Sequence, residues 1–316
     1  MLPNFLGKLQ RFLWRSSRNL LCVAPITRNM LFPQERLAAC FGANDAEYAW
    51  SVFRRHFERL REAGFFSAEH VLEVGPGRNL GTSLLWWTYC SSRGDARAVH
   101  VECWDVFKNA APDRPRYWSD LARELIESYP ATFEALSAHE ADSMLAMLRD
   151  VAEDRRNPAI AYQVAPLAEF EASVAARNTG FDLVYSQAAV EHIWRIEEFW
   201  ETTAHLTQPG GWHSHRIDLS DHGRRDTNYI EMLEWSGLSY WLTMRFVPGA
   251  INRWRAGQHQ RKLESLRMQT IYAQRELRDR LPVALNSISA EFRNMGEAEL
   301  KSTALDIVSR KAAPPG

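Results

Sequence analysis

Two groups of residues in this chain of 316 residues have the types and spacing to do chemistry. The first is polar: His213, His215, Asp218, Asp221 and His222 stand close together, with His192 upstream. Imidazoles titrate near neutrality, so such a set can take a proton from a hydroxyl, hold a metal ion, or form a polar network that anchors a loop. The sequence leaves all three open. The second is the run Glu73-Val74-Gly75-Pro76-Gly77-Arg78-Asn79-Leu80-Gly81. Its glycines let backbone approach a ligand closely, and the helix that follows offers free N–H groups. A nucleotide-like ligand suits such a loop.

Several common chemistries lack their main residue. A dinucleotide fingerprint of the GxGxxG type wants glycine where Leu80 stands, and no TyrxxxLys pair occurs. The phosphate-cradling GxxxxGK[ST] loop and the GxSxG elbow are missing as well.

The elements that must position these residues alternate between strand and helix. A helix over 45–63, capped by Asn44 and Asp45 and stopped by Gly64, leads to a strand over 70–74. The glycine turn and an apolar helix follow. A second strand over 98–104 ends at Asp105, and an acid-rich stretch over 113–157 reads as a helical insertion. Strands over 159–164, 181–186 and 212–219 come next, the last entered through Pro209-Gly210-Gly211. Residues 220–260 are irregular and aromatic, as in a lid over an acceptor site, and strands over 268–277 and 303–310 close the sheet. This alternation predicts an α/β, Rossmann-like, mainly parallel seven-stranded sheet flanked by helices. The organisation expected is an N-terminal helical region over 1–64, a cofactor-binding core over 65–219, the lid over 220–260, and C-terminal strands over 261–316. In an open sheet of this kind, ligands lie beyond the carboxyl ends of the strands.

The formal net charge of −1 gives no global field for holding nucleic acid. Cys22, Cys40, Cys90 and Cys103 are scattered without a CxxC pair, which fits a reducing, cytoplasmic setting. No stretch reaches the roughly 18–20 apolar residues that span a bilayer. Residues 1–34 carry Lys8, Arg11, Arg15, Arg18 and Arg28 but no acid. Over 5–21 the periodicity predicts a basic amphipathic helix, with Leu6, Leu9, Leu13 and Leu20 on one face, Phe5 and Phe12 at its edge and the basic residues opposite. It either docks on the domain or makes peripheral contact with an anionic membrane surface.

Taken together, Val71-Leu72-Glu73-Val74-Gly75-Pro76-Gly77, Phe181-Asp182-Leu183-Val184-Tyr185-Ser186 with Glu191-His192, and Gln208-Pro209-Gly210-Gly211 resemble the motifs of class I S-adenosylmethionine-dependent methyltransferases. The likeness covers about residues 65–220. It implies S-adenosyl-L-methionine as cofactor. The turn, with Glu73, Gly75, Pro76, Gly77, Asn79 and Gly81, would hold its amino acid end, and Ser186 and Gln187 would border it. Asp105 would accept hydrogen bonds from both ribose hydroxyls, with Glu102 as the fallback. Asn79 stands where a third glycine is common, the spacing to Asp105 is long, and Glu169 is the candidate for reading adenine. Nucleic acid is not an expected substrate, because Ser186-Gln187-Ala188-Ala189 replaces the motif of amino-directed nucleic-acid enzymes. The acceptor expected is a small molecule, a sugar, or a lipid-linked or otherwise amphiphilic compound methylated on oxygen. His215 paired with Asp218, or His222, is the candidate base, and His192 shapes the loop over the cofactor. No metal ion is assigned. A nicotinamide-dependent oxidoreductase and a non-catalytic adapter at a membrane are the competing classes.

Overall fold

Seven strands are formed by His70–Val74 (β1), His100–Asp105 (β2), Ile160–Val164 (β3), Phe181–Gln187 (β4), Thr207–Asp218 (β5), Met268–Leu277 (β6) and Ser302–Lys311 (β7). They lie in the order β3-β2-β1-β4-β5-β7-β6 in one sheet. This computed structural model describes residues 2–32, 45–93, 98–130, 133–177 and 179–313, and of residues 2–6, 8 and 25 the backbone alone. Asn44, Cys40 and the side chains of Phe5, Leu6 and Lys8 lie outside the described residues.

The sheet is mixed, which corrects the mainly parallel expectation. β1–β2, β2–β3, β1–β4 and β4–β5 pair in parallel, whereas β5–β7 and β6–β7 pair antiparallel. The cause is connectivity. The parallel strands are linked through helices packed on the sheet, while the chain between β6 and β7 forms only short helical turns and folds back from the end it left.

On one face lie Ala46–Glu62 (α1), Gly81–Ser91 (α2), Tyr117–Glu127 (α3) and Ala138–Ala152 (α4). Asp45 caps α1 by accepting from Tyr48 N at 2.8 Å, as its residue type predicts. α2 is apolar on every side because α1 and α4 cover what the sheet does not, so almost all of it is buried. α3 and α4 are the helices of the stretch over 113–157. The other face carries Leu167–Ala175 (α5), Ile196–Leu206 (α6) and Ala256–Ser265 (α7), which pack Phe170, Phe199, Trp200 and Leu263 against Leu72, Val184 and Ile217. A further core, with Tyr229, Ile230, Tyr240, Ile251, Ile288 and Phe292, joins the segment over 220–260 to the chain before β7. The buried Arg255 fastens this layer by donating to the carbonyls of Leu219, at 2.6 Å, and of Glu299 and Ser302.

The N-terminal helix Leu2–Leu21 (α8) is amphipathic, and its leucine face points outward. Leu13 is 57% and Leu20 71% exposed. The docked face is largely polar, with Phe12 stacked on Trp235 at 6.1 Å beside it. Arg15 pairs with Glu231 at 3.2 Å, and Asn19 donates to Leu242 O at 2.9 Å and accepts from Phe246 N at 2.6 Å, across Gly237–Met244 (α9). The buried carboxylate of Glu231 and the backbone groups at the end of α9 need charged or polar partners, and the residues on this side of α8 supply them.

Buried imidazoles are unusually numerous. His56 bonds Ser214 Oγ at 2.7 Å, His213 bonds Thr207 Oγ1 at 2.8 Å, and His259 accepts from Trp200 Nε1 at 3.2 Å. Burial lowers each of these three to about 3 from 6.5, and His215 well below that ordinary value. An unfolded chain therefore takes up protons that the folded chain refuses. Their contribution is complete above pH 6.5 or so and is lost as the pH falls below it. Glu73 and Glu191, which burial raises to about 7 from 4.5, act in the opposite sense by adding stability as the pH falls from about 7. We expect His259→Asn, whose amide oxygen keeps the bond from Trp200, to flatten the loss of stability on acidification by up to about 1.4 kcal/mol per pH unit below pH 6.5. Urea unfolding at a series of pH values checks this; an unchanged slope refutes the assignment of His259 as neutral.

Candidate active site at the carboxyl ends of the strands

The strand order reverses between β1 and β4, and the chain leaves both strands there in turns that require left-handed backbone. Gly75 has φ +67° and Gly77 φ +77°, on either side of Pro76. A Cβ on Gly75 would come 2.6 Å from the Cβ of Ala189, so the glycine turn and the loop after β4 are in contact. Ala188, one residue past β4, is itself left-handed at φ +50°, a strain typical of functional sites. Register then brings β2 alongside. Val74 stands opposite Trp104, and Gly75 N donates to Trp104 O at 2.8 Å, which sets Asp105 beside the turn.

Asp105 is 9% exposed. Its Oδ1 accepts from Phe107 N at 3.1 Å and its Oδ2 from Asn109 Nδ2 at 2.9 Å, which shapes the loop after β2. The Val106 N–H also serves this carboxylate, so of its four lone pairs three are engaged and one is left for a further donor. Burial raises the Asp105 carboxyl above the usual range.

Other residues singled out in the sequence are committed elsewhere. Glu73 accepts from the Ser83 hydroxyl within the α2-facing core, where burial raises it to about 7. Asn79 Oδ1 accepts from Gly81 N at 2.9 Å and so starts α2. Gly81 lies where a Cβ would come 2.7 Å from that of Ala49, so it permits the close packing of α1. Ser186 Oγ lies 2.7 Å from His215 Nδ1, and both are buried. His215 therefore does not pair with Asp218. β5 turns His213 and His215 towards Trp200, away from the open end. Glu102 is tied to Arg177 at 2.8 Å, and Glu169 is exposed on the first turn of α5.

What gathers at the open end is a second polar group. Val190–His192 forms a 3-10 turn after β4 that carries Glu191 and His192, while Asp218 and His222 stand at and after the end of β5. The His192 and His222 rings meet edge to face at 5.1 Å, and His222 Nε2 lies 3.4 Å from Asp218 Oδ2, which Arg225 also engages. Asp221 accepts from Gly223 N at 2.9 Å and shapes the loop. Burial raises Glu191 to about 7, and burial with the charge of His222 lowers His192 to about 4. Asn252 holds the turn from outside: its Nδ2 donates to Val190 O at 2.9 Å and Ile193 O at 3.1 Å, and its N to Glu191 O at 2.6 Å.

Sequence reasoning missed several contributors. Tyr117, from the stretch between β2 and β3, accepts from Leu80 N at 3.1 Å, and Arg55 of α1 donates to Gln187 Oε1 at 3.1 Å. Neither has a motif to mark it, since each reaches the site only through packing. Glu191 did have a signal, an acid beside His192 just past a strand end. A hollow lined by His70, His100, Glu102 and Arg177 lies at the amino ends of the strands, where an open α/β sheet does not bind its ligand.

No family model and no curated protein matches this chain. Solved structures do resemble it loosely. A Listeria monocytogenes protein assigned as an S-adenosylmethionine-dependent methyltransferase has 14% identity and a TM-score of 0.43 over 83% of this chain and 99% of its own. An S-adenosylmethionine-dependent methyltransferase from Mesorhizobium loti has 14% identity and a TM-score of 0.38 over 86% and 100%. The N-methyltransferase NodS from Bradyrhizobium japonicum, solved with S-adenosyl-L-homocysteine, has 9% identity and a TM-score of 0.35 over 82% and 85%. Scores this low carry no function across to this chain.

Two glycines with the same backbone need allow a direct test of the turn. Gly64 has φ +94° with nothing near its missing Cβ, while Gly75 adds the contact with Ala189. Gly64→Ala should cost about 1 kcal/mol and Gly75→Ala about 3 kcal/mol in urea unfolding. Equal costs would mean that the turn and the β4 loop are not in contact.

Proposed function

We propose that this chain is an S-adenosyl-L-methionine-dependent methyltransferase that methylates oxygen of a small, sugar-like or amphiphilic acceptor. One observation carries the reading. The left-handed turn at Gly75 and Gly77 and the carboxylate of Asp105 lie side by side at the reversal of strand order, where an open α/β sheet binds its ligand. The residues fit the cofactor: the turn brings backbone close, and the Asp105 carboxylate beside it is an acceptor suited to a ribose hydroxyl. Gln187, held by Arg55, borders the same crevice. When bound, the sulfonium supplies the methyl group.

Methyl transfer is an in-line displacement, so the protein's work is to align the acceptor and to handle its proton. His192, Asp218 and His222, joined by Glu191, form the polar group at that end. Of the bases considered, His222 oriented by Asp218 fits, whereas the buried His215 does not. The segment over 220–260 supplies Asp218's neighbours and would wall the acceptor site.

The outward leucine face of α8, on a helix whose Arg11 is also exposed, supports peripheral contact with an anionic lipid surface, as an amphiphilic acceptor would require. No helix among the described residues is long and apolar enough to cross a membrane. The chain should co-sediment with vesicles containing phosphatidylglycerol. The double change Leu13→Asp and Leu20→Asp should weaken that binding at least about tenfold. Retention of binding by the double variant would refute the contact.

Calorimetric titration with S-adenosyl-L-homocysteine and with NADH tests the main reading. The homocysteine compound should bind and NADH should not, and Asp105→Ala should weaken binding by about tenfold or more, since a hydrogen bond to a charged group contributes roughly 1.5–3 kcal/mol. Binding of NADH alone, or of neither, would sink the proposal.

A further inference from the structure

One carboxylate at the open end of the sheet has nothing on another residue to bind. Glu191 is 2% exposed, and neither of its oxygens has a hydrogen-bond partner among the other described residues. A buried carboxylate without donors is costly, and proteins answer that cost with a proton or a cation. His192 and His222 stand against it. One ligand atom from each of the three residues lies within 4.8 Å of the other two, the sole such grouping of histidine, cysteine and acid found among the described residues. A cation at their centre would sit within about an ångström of bonding distance to all three, a gap that small side-chain rotations close.

The surroundings of the two rings point the same way. A metal-ligating histidine almost always presents its second nitrogen to a carbonyl or carboxylate, which fixes the tautomer and the ring plane. His192 Nδ1 lies 3.4 Å from Ala250 O, and His222 Nε2 lies 3.4 Å from Asp218 Oδ2. These two contacts hold the planes of the rings. The turn carrying Glu191 and His192 is held by three hydrogen bonds from Asn252, so the donors are pre-set before anything binds. A hard ion such as Mg²⁺ prefers oxygen; two imidazoles and one carboxylate suit zinc, iron or cobalt.

We propose that Glu191, His192 and His222 hold a divalent transition-metal ion whose open positions take an oxygen of the acceptor. The existence of the site rests on these residues alone; its purpose rests on the transferase reading. There the ion binds the acceptor hydroxyl and lowers its pKa, and the proton leaves to solvent water. His222 then acts as a ligand, and the ion carries the acidifying role that an imidazole base would otherwise have.

The test uses the full chain, stripped with a chelator and titrated with Co²⁺, whose visible absorption reports nitrogen and oxygen ligands. S-adenosyl-L-homocysteine binding and a thermal melt are followed in parallel. We expect one ion per chain, displaced by Zn²⁺. Glu191→Gln and His222→Ala should each weaken Co²⁺ at least about 100-fold, and Asp218→Asn about 10–100-fold through the orientation of His222. The melt identifies any variant that fails to fold, and Glu191→Gln, which conserves shape, guards against that outcome. A folded parent chain that takes up no Co²⁺, or binding that Glu191→Gln and His222→Ala leave unchanged, overturns the metal site whatever the homocysteine compound does. Co²⁺ binding without uptake of that compound overturns the transferase reading and leaves the metal site standing.

Discussion

The molecule turns on a place where a side chain is missing. Between β1 and β4 the sheet reverses its order, and the two loops leaving those strands press together so closely that Gly75 has no room for a Cβ beside Ala189. That contact, with the left-handed backbone at Gly75, Gly77 and Ala188, sets the distance between the glycine turn and the Glu191 turn. The carboxyl ends of β2, β4 and β5 then lie side by side, because β2 and β4 pair in parallel with β1 and β5 pairs in parallel with β4. The groups at this end are thus positioned by backbone geometry first and by side chains second.

Much of the fold was legible because its signals are local. Strand, left-handed turn and helix write themselves into Val71 to Trp87, and the helix cap at Asp45 and stop at Gly64 do the same for α1. The bounds of β6 and β7 were likewise close to those expected. Pairing direction was not legible, since it depends on where the chain travels between β6 and β7. The site was half legible. The glycine turn and Asp105 follow a strand each and could be found, whereas Tyr117, Arg55 and Asn252 come from distant parts of the chain. Periodicity gave α8 its two faces but not which one docks, and the buried acid Glu231 decides that in favour of the basic side.

Histidine shows why residue type alone misleads. His213 and His215 share a face by strand alternation, as the sequence says, yet that face is the packed one against Trp200. Each satisfies one nitrogen with a hydroxyl and stays neutral by burial. His192 and His222 differ only in lying past the strand ends, where a buried acid meets them. The same side chain is thus a core-filling group a few positions before the strand ends and part of the polar group at the open end after it.

The amide of Asn252 clasps the crevice from the outer layer. Asn252 belongs to the segment between α9 and α7, whose own core of Tyr240, Ile251 and Phe292 is separate from that of the sheet. Through two donated hydrogens and one backbone bond it clasps the turn bearing Glu191 and His192. The outer layer therefore works as a gauge for the crevice. Repacking around Ile251, however conservative in volume, would therefore be felt through Asn252 at the turn that carries Glu191 and His192.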